Sequence, residues 1–339
     1  MIASGIKGVL RQVDMQSKFV NYHIGSRHVQ AGFPILPVFA GDIINVLFDA
    51  DIDSVDQTSK LWSQRSECET KVFPYCISAD ERCEALNINF DAYTSSIFSF
   101  NHEYAAFYTL SNADRVDYVL GESCRTMEKR KVKATSLDAL LASDTFRGSP
   151  PDFLSLDTQG SEYRILSGAS GALRHNILGL MVEIEFVQIY EGQELFHDVQ
   201  SLLEDAGFRL ARIITNEEFS PFRAPIGARA RGFVLAGEAL FLRRLETLKD
   251  IGTDDERYVL LYKLAFISVT FGCLEYAIQV LNEADRLKPS QSVVQELNQR
   301  RYFIFLREMI AAVAELPHEY PLTMKEAMTF REAQARFKV

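Results

Sequence analysis

The segment DFLSLDTQGSEYRILSGAS, residues 152–170, places two carboxylates and an amide in one short turn. An apolar run ends at Asp157, Gln159 follows, and a helical pattern begins near Glu162. Acidic residues are ordinary at the start of a helix, which accounts for Glu162. Asp157 ends the strand and does not begin the helix, so this explanation does not apply to it. Ligands of open α/β sheets bind beyond the carboxyl ends of strands. Asp157 is therefore the first candidate for chemistry.

A second pair of acids, Glu183 and Glu185, interrupts the apolar segment GLMVEIEFV. Residues two apart in a strand share a face, and the interior strands of a parallel sheet are usually apolar. A carboxylate in such surroundings costs several kcal/mol unless it is paired, hydrated or bound to a ligand. Either these acids lie beyond the covered part of the strand or they serve a binding site.

Another predicted strand ends in the segment LFDAD, which contains Asp49 and Asp51. Asp49 follows Gly25, a glycine suited to a tight turn after the first predicted strand, by 24 residues. Near this spacing an acid accepts hydrogen bonds from ribose hydroxyls in nucleotide-binding folds. The alternative is that both acids cap the next helix, whose first turn favours negative charge. We favour ribose binding for Asp49 and capping for Asp51.

These residues lie at the ends of strands that alternate with helices over roughly 230 residues, a pattern typical of a mostly parallel sheet with both faces covered. The helices are predicted at VDQTSKLWSQRSE, SEYRILSGAS and LFHDVQSLLEDAG. The strands are predicted at KFVNYHIG, INVLFDAD, KVFPYCIS, EALNINF, PDFLSLD, GLMVEIEFV, FRLARII and GFVLAGEALFLRR.

The C-terminal part of the chain is helical in pattern, with two helices joined at Gly272 and a stop at Pro289. Its spacing of small and apolar residues resembles one tetratricopeptide-type hairpin of ~34 residues. A further helix is predicted at SVVQELNQRRYFIFLREMIAAVAEL. A single repeat cannot bury its own apolar face, so these helices must pack on the main domain or on a partner. We expect that partner to be a second copy of the chain or another protein.

Composition narrows the class of protein. The chain has 36 basic and 46 acidic residues, a formal net charge of −10, which argues against nucleic acid as a partner. Its five cysteines are odd in number and form no paired CxxC arrangement, so neither a disulfide framework nor a zinc site is predicted. No segment reaches the ~18 uninterrupted apolar residues of a membrane span, and we expect a cytoplasmic protein.

The motifs together resemble the FkbM family of S-adenosylmethionine-dependent methyltransferases. The resemblance depends on the segments PDFLSLDTQGSEYRILSGA, LMVEIEFVQIYEGQELFHDVQSLLEDAGFRL, VKATSLDALL, GFVLAGEALFLRR and YTSSIF. It covers about residues 18–245 and implies an α/β fold, a Rossmann-like methyltransferase sheet that is seven-stranded and mostly parallel. We accordingly expect a lead-in segment at 1–17, the methyltransferase domain at 18–248 and a helical extension at 249–339.

The resemblance also implies where the cofactor S-adenosyl-L-methionine lies. Its ribose would be held by Asp49. Its adenine would lie near Ser78 and Asp80, and its methionyl part near Gly25, Ser26 and Arg27.

Two histidines, His23 and His28, stand where similar proteins carry an acid and a glycine in this first loop. We include His23 among the predicted cofactor-binding residues. The departure from the family pattern leaves a second hypothesis open, a non-catalytic module with a drifted cofactor loop that acts through partner binding.

The resemblance further implies that Asp157 lies beside the methyl group. We predict that Asp157 is the base, with Glu185 and Glu183 as substrate-positioning residues or alternate bases. His23 is another candidate base, because histidine titrates near neutrality. Tyr190 and Gln193 either line the acceptor pocket or organise its loop.

The resemblance also implies the reaction, which is O-methylation of a sugar, a glycan or another small polar acceptor. Several acids around one turn are also ligands of the kind that a divalent cation binds. No ligand spacing in the sequence indicates such a metal site.

Overall fold

The structure is a computed structural model that describes residues 17–27, 32–64, 68–110, 117–221, 232–249 and 251–316. The β-strands in these segments are β1 Phe19–Ile24, β2 Ile43–Phe48, β3 Glu69–Phe73, β4 Cys76–Ile77, β5 Arg82–Asn89, β6 Tyr108–Leu110, β7 Asp117–Val119, β8 Thr126–Thr135, β9 Phe153–Leu156, β10 Gly179–Glu185, β11 Phe208–Ser220 and β12 Phe233–Arg243. The α-helices are α1 Ile52–Ser63, α2 Leu120–Ser123, α3 Leu137–Ala142, α4 Glu162–Ser167, α5 Ser170–His175, α6 Phe196–Asp205, α7 Asp254–Thr270, α8 Leu274–Ala284, α9 Gln291–Leu297 and α10 Arg301–Ala314.

The main sheet has the strand order β3-β2-β1-β9-β10-β12-β11-β6-β7. Neighbouring strands from β3 to β10 are parallel, whereas β12, β11, β6 and β7 each run antiparallel to the preceding strand in this order. The α/β class and the mostly parallel centre agree with the prediction, but the count of seven strands is not confirmed. Within the described residues the sheet has nine strands, because β6 pairs with the far end of the long strand β11 and brings β7 with it.

Alternating side chains of the central strands fill two separate cores. Val20, Tyr22 and Ile24 of β1 face a core that α3, α4, α5 and α6 cover. Phe19 of the same strand faces the opposite core, which is covered by α7, α8, α9 and α10. The sheet is therefore buried on both faces, as expected for a central parallel sheet.

The predicted strand KVFPYCIS divides at Pro74 into β3 and β4, which belong to different sheets. Proline has no backbone N–H to contribute to a ladder, so a strand ends easily there. β4 joins a second sheet of order β4-β8-β5, in which the predicted strand EALNINF forms part of β5. This small sheet stands beside the end of β2 and forms one wall of the main cleft.

The C-terminal helices pack directly on the main sheet. α7 and α8 form the predicted hairpin at Gly272, and the single further helix of the prediction is divided into α9 and α10. A buried ion pair joins Lys263 of α7 to Asp152 before β9, with Nζ and Oδ2 2.8 Å apart. The tetratricopeptide-like assignment stays a prediction. In the segments that the structure describes, no helix is long and apolar enough to cross a membrane.

Candidate active site

A cleft opens at the carboxyl ends of β1, β2 and β9. The chain runs from β1 to β2 and β3 on one side of the sheet, then returns to β9 and β10 on the other, so the strand order reverses between β1 and β9. Ligands of open α/β sheets bind at this kind of switch point. The cleft is lined by Ile24, Gly25, Arg27, Asp49, Ala50, Tyr75, Cys76, Ile77, Leu86, Ala92, Tyr93, Ser95, Ser96, Ile97, Asp157, Thr158, Gln159 and Ser161.

Gly25 makes the turn that leaves β1 beneath the cleft. Its φ is +92°, and its N–H donates to the carbonyl of Phe48 at the end of β2. A Cβ added at Gly25 would lie 1.7 Å from the carbonyl oxygen of Asp157. Glycine fits this position because it has no Cβ, so it adopts a positive φ at little cost and lets the ends of β1 and β9 approach closely.

Asp49 lies at the cleft wall and also organises the start of α1. Its Oδ1 accepts from the N–H of Asp51 at 2.8 Å, and its Oδ2 accepts from the hydroxyl of Ser54 at 2.7 Å. Burial raises the pKa of this carboxyl. Because each carboxylate oxygen can accept a second hydrogen bond, the helix contacts leave acceptor capacity toward the cleft.

Asp51 accepts from the N–H of Asp53, which confirms the predicted helix cap. It also pairs with two arginines, Arg27 at 3.0 Å and Arg130 at 2.6 Å. These ion pairs connect the first loop, α1 and the small sheet at the edge of the cleft.

The turn after β9 is held by its own side chains. Glu162 accepts from the N–H and hydroxyl of Thr158 at 2.6 and 2.8 Å and from the N–H of Gly160 at 2.9 Å. Burial raises the pKa of Glu162 to about 7. Gln159 adopts a left-handed φ of 57°, which directs its amide back over the strand end.

The Gln159 amide connects the two acids that the sequence singled out. Its Nε2 lies 3.0 Å from Oδ1 of Asp157 and 2.8 Å from Oε2 of Glu183. Glu183 is partly exposed beside this strand end, whereas Glu185 is buried on the same face of β10. The structure therefore brings Asp157 and Glu183 together through one amide.

Tyr190 and Gln193 are both buried and organise the loop after β10. The N–H of Tyr190 donates to Oε1 of Gln193 at 2.6 Å, and the Tyr190 hydroxyl lies 3.1 Å from Oε1 of Gln159. Burial raises the pKa of the Tyr190 phenol well above its usual value. Neither side chain lines the cleft.

His23 lies on the opposite face of β1 from Ile24, beside Ser155 of β9. Burial lowers the pKa of His23 to about 4, although the nearby Asp157 opposes this shift. A second cavity adjoins it and is lined by His23, Gly32, Phe33, Pro34, Ser155, Asp157 and Glu238. Sequence reasoning missed Ser155 and Glu238. Glu238 lies directly opposite Glu183 in the β10–β12 ladder, and this pairing is visible only in the structure.

Four residues predicted to contact the cofactor do not line the cleft, namely His23, Ser26, Ser78 and Asp80. Ser78 is fully buried, and its hydroxyl accepts from Arg82. Asp80 is largely exposed and pairs with Arg82. The Ser26 side chain is buried away from the cleft. Tyr75, Cys76 and Ile77 occupy the wall where the adenine was predicted.

His28 lies outside the residues that the structure describes. Within the described part of the chain, no cluster of three or more histidine, cysteine or acidic residues has an arrangement that could hold a metal ion.

A family model described as "Methyltransferase FkbM domain" matches residues 63–210. This part of the chain is similar to FkbM methyltransferases. The matched segment contains Asp157, Glu183 and Glu185 and begins after Gly25 and Asp49.

No curated protein matches this chain. Among solved structures, magnesium protoporphyrin IX methyltransferase from Synechocystis PCC 6803, with bound SAM, is 10% identical with a TM-score of 0.30. That alignment covers 68% of this chain and 73% of the other.

Proposed function

We propose that the protein is an S-adenosylmethionine-dependent methyltransferase that O-methylates a sugar or another small polar acceptor. The observation that carries the proposal is the cleft at the β1–β9 switch point, where Gly25, Asp49 and Asp157 converge. The match of residues 63–210 to the FkbM domain supports methyl transfer as the reaction. The acceptor class is inferred from the family resemblance.

The residues of the cleft fit this cofactor. Asp49 offers a carboxylate for ribose hydroxyls at the end of β2, and Tyr75, Ile77 and Leu86 offer an apolar wall for a purine. Asp157 supplies a negative charge near the predicted position of the sulfonium. The Gly25 turn allows the backbone to approach closely at the strand ends.

When bound, S-adenosylmethionine supplies an electrophilic methyl group. The protein must then align an acceptor hydroxyl with that methyl group and take the hydroxyl proton as the O–C bond forms and the S–C bond breaks, which leaves a neutral thioether. Asp157 is the base in this proposal, because it lines the cleft and its Oδ1 is oriented by the Gln159 amide. Glu183 shares that amide and acts as a positioning residue.

Calorimetry with S-adenosylhomocysteine tests the proposal. We expect the wild-type protein to bind, and Asp49→Asn to bind at least about tenfold more weakly, because one charged acceptor for the ribose is lost. Asparagine retains the size of the side chain and one acceptor oxygen for the α1 contacts. Asp80→Asn is the matched control and should bind like the wild type, since Asp80 is exposed and outside the cleft. Failure of the wild type to bind at millimolar ligand would overturn the proposal.

The second candidate function is a non-catalytic module that retains the fold and binds a partner through its helical extension. The salt bridges that join Asp51 to Arg27 and Arg130 at the cleft edge favour it, because Arg27 already has a partner where the methionyl part of the cofactor was predicted to lie. Absence of S-adenosylhomocysteine binding, with a normally folded protein, would favour this function. A second copy of the chain is one such partner, and light scattering tests it directly.

A further inference from the structure

The second cavity has a volume of about 270 Å³ and shares Asp157 with the cofactor cleft. It is built from three strands, with His23 on β1, Ser155 on β9 and Glu238 on β12. Ligand pockets usually measure about 300–1,000 Å³, so this one suits a small molecule or a single sugar ring. Asp157 therefore lies at the junction of the two cavities.

His23 provides an unusual polar wall for this cavity. Its side chain is 2% exposed, and neither ring nitrogen forms a hydrogen bond of normal geometry, although the Ser155 backbone lies nearby. Buried polar atoms nearly always have partners in folded proteins. At neutral pH the uncharged ring offers one donor and one acceptor.

Gly32 keeps this polar wall open. A Cβ at Gly32 would lie 2.2 Å from the Oγ of Ser155 and 2.9 Å from the Nδ1 of His23. The residue also has a φ of +64°, which favours glycine. Any larger side chain would therefore fill the space that these two polar groups face.

The charge of the cavity is negative. Asp157 and Glu238 both line it, and no lysine or arginine is among the described residues of its wall. Burial, followed by the charge of Asp157, raises the pKa of Glu238. An anionic ligand would add to this repulsion, whereas hydroxyl and ammonium groups would relieve it.

We propose that this cavity is the acceptor site and that it selects uncharged or cationic polyhydroxylated molecules over anionic ones. The inference rests on the proposed function, since the cavity is an acceptor site only if the neighbouring cleft holds the methyl donor. Asp157 then takes the proton of a hydroxyl that His23, Ser155 and Glu238 position.

Nuclear magnetic resonance of the His23 ring tests the selection. Glucosamine, glucose and glucuronate share one ring and differ in charge, and each is titrated into the protein saturated with S-adenosylhomocysteine. The His23 signals are assigned as those missing from His23→Gln. We expect them to shift with glucosamine and glucose, and glucosamine to bind at least about fivefold more tightly than glucuronate. Equal affinity for glucuronate, or no shift with any sugar, would overturn the inference.

Two matched variants test whether the Glu238 carboxylate causes the preference for glucosamine over glucuronate. Glu238→Gln should lose most of the preference for glucosamine, whereas Glu308→Gln, at an exposed position on α10, should retain it. An unchanged preference in Glu238→Gln would contradict the assignment. Calorimetry on the same samples separates the two proposals. Binding of S-adenosylhomocysteine without any sugar response overturns the acceptor site alone, and no binding overturns the proposed function and the acceptor site together.

Discussion

At the scale of single residues, burial moves two titratable groups of the site toward their uncharged forms. It lowers the pKa of His23 to about 4 and raises that of Glu162 to about 7. The two groups differ in their partners, because Glu162 accepts three hydrogen bonds from its own turn, whereas the His23 nitrogens have none of normal geometry. Glu162 therefore has a structural explanation, and His23 is the residue whose chemistry is available to a ligand.

The burial of His23 predicts a specific dependence of stability on pH. The unfolded chain binds a proton at this residue below about pH 6.5, but the folded protein does so only near pH 4. The free energy of unfolding should therefore decrease as pH falls from 6.5 to 4, by roughly 3 kcal/mol from this residue. In His23→Gln this part of the decrease should vanish, as measured by urea unfolding at pH 7 and pH 4.5.

His197→Gln is the control for this measurement, because the His197 side chain is 76% exposed. It should retain the wild-type dependence on pH. If His23→Gln and the wild type lost the same free energy between the two pH values, His23 would not be held neutral in the folded protein.

At the scale of elements, the site depends on how closely β1 and β9 approach each other at their carboxyl ends. The N–H of Asp157 donates to the carbonyl of Ile24, and Gly25 lies against the Asp157 backbone. The cofactor cleft and the second cavity meet at this junction, since both are lined by Asp157. Displacement of one strand end would alter both cavities.

Substitution of Gly25 tests this junction. In Gly25→Ala, the new Cβ would overlap the Asp157 carbonyl oxygen, and alanine disfavours a φ of +92°. We expect a loss of at least about 2 kcal/mol in the free energy of unfolding and no detectable binding of S-adenosylhomocysteine. Gly41→Ala is the matched control, because a Cβ there meets nothing within 4 Å. A Gly25→Ala protein as stable as Gly41→Ala would show that the strands can separate without cost.

At the scale of the whole molecule, the helical extension and the sheet share one core. Phe266 of α7 packs against the rings of Phe19 and Phe33. Phe271, which follows α7, packs against the rings of Phe33 and Phe153. Asp152 accepts from the Val20 N–H as well as from Lys263, which connects β1, β9 and α7. The region from 249 onward is therefore part of the main structural unit as far as the described residues extend.

The Asp152–Lys263 ion pair predicts cooperative unfolding of this unit. Lys263→Met removes one partner and leaves the buried Asp152 carboxylate uncompensated, which should cost about 3–5 kcal/mol. The double variant Asp152→Asn with Lys263→Met should recover much of this loss, because it removes the buried charge as well. Urea unfolding curves, monitored by tryptophan fluorescence and circular dichroism, give the free energies of unfolding of the single and double variants. Two separate transitions in the wild type would contradict the shared core.

The sequence by itself determined the alternation of strands and helices, the acid at the end of β9, the helix cap at Asp51 and the FkbM resemblance over about residues 18–245, of which a family model matches residues 63–210. These features depend on periodicity, turn chemistry and motifs that lie within a few residues of one another. The tertiary structure alone decided that β6 and β7 extend the sheet, that Ser78 and Asp80 lie outside the cleft, and that His23 and Glu238 share a cavity. Strand register and packing join residues far apart in the chain, and no local pattern records which of them will meet.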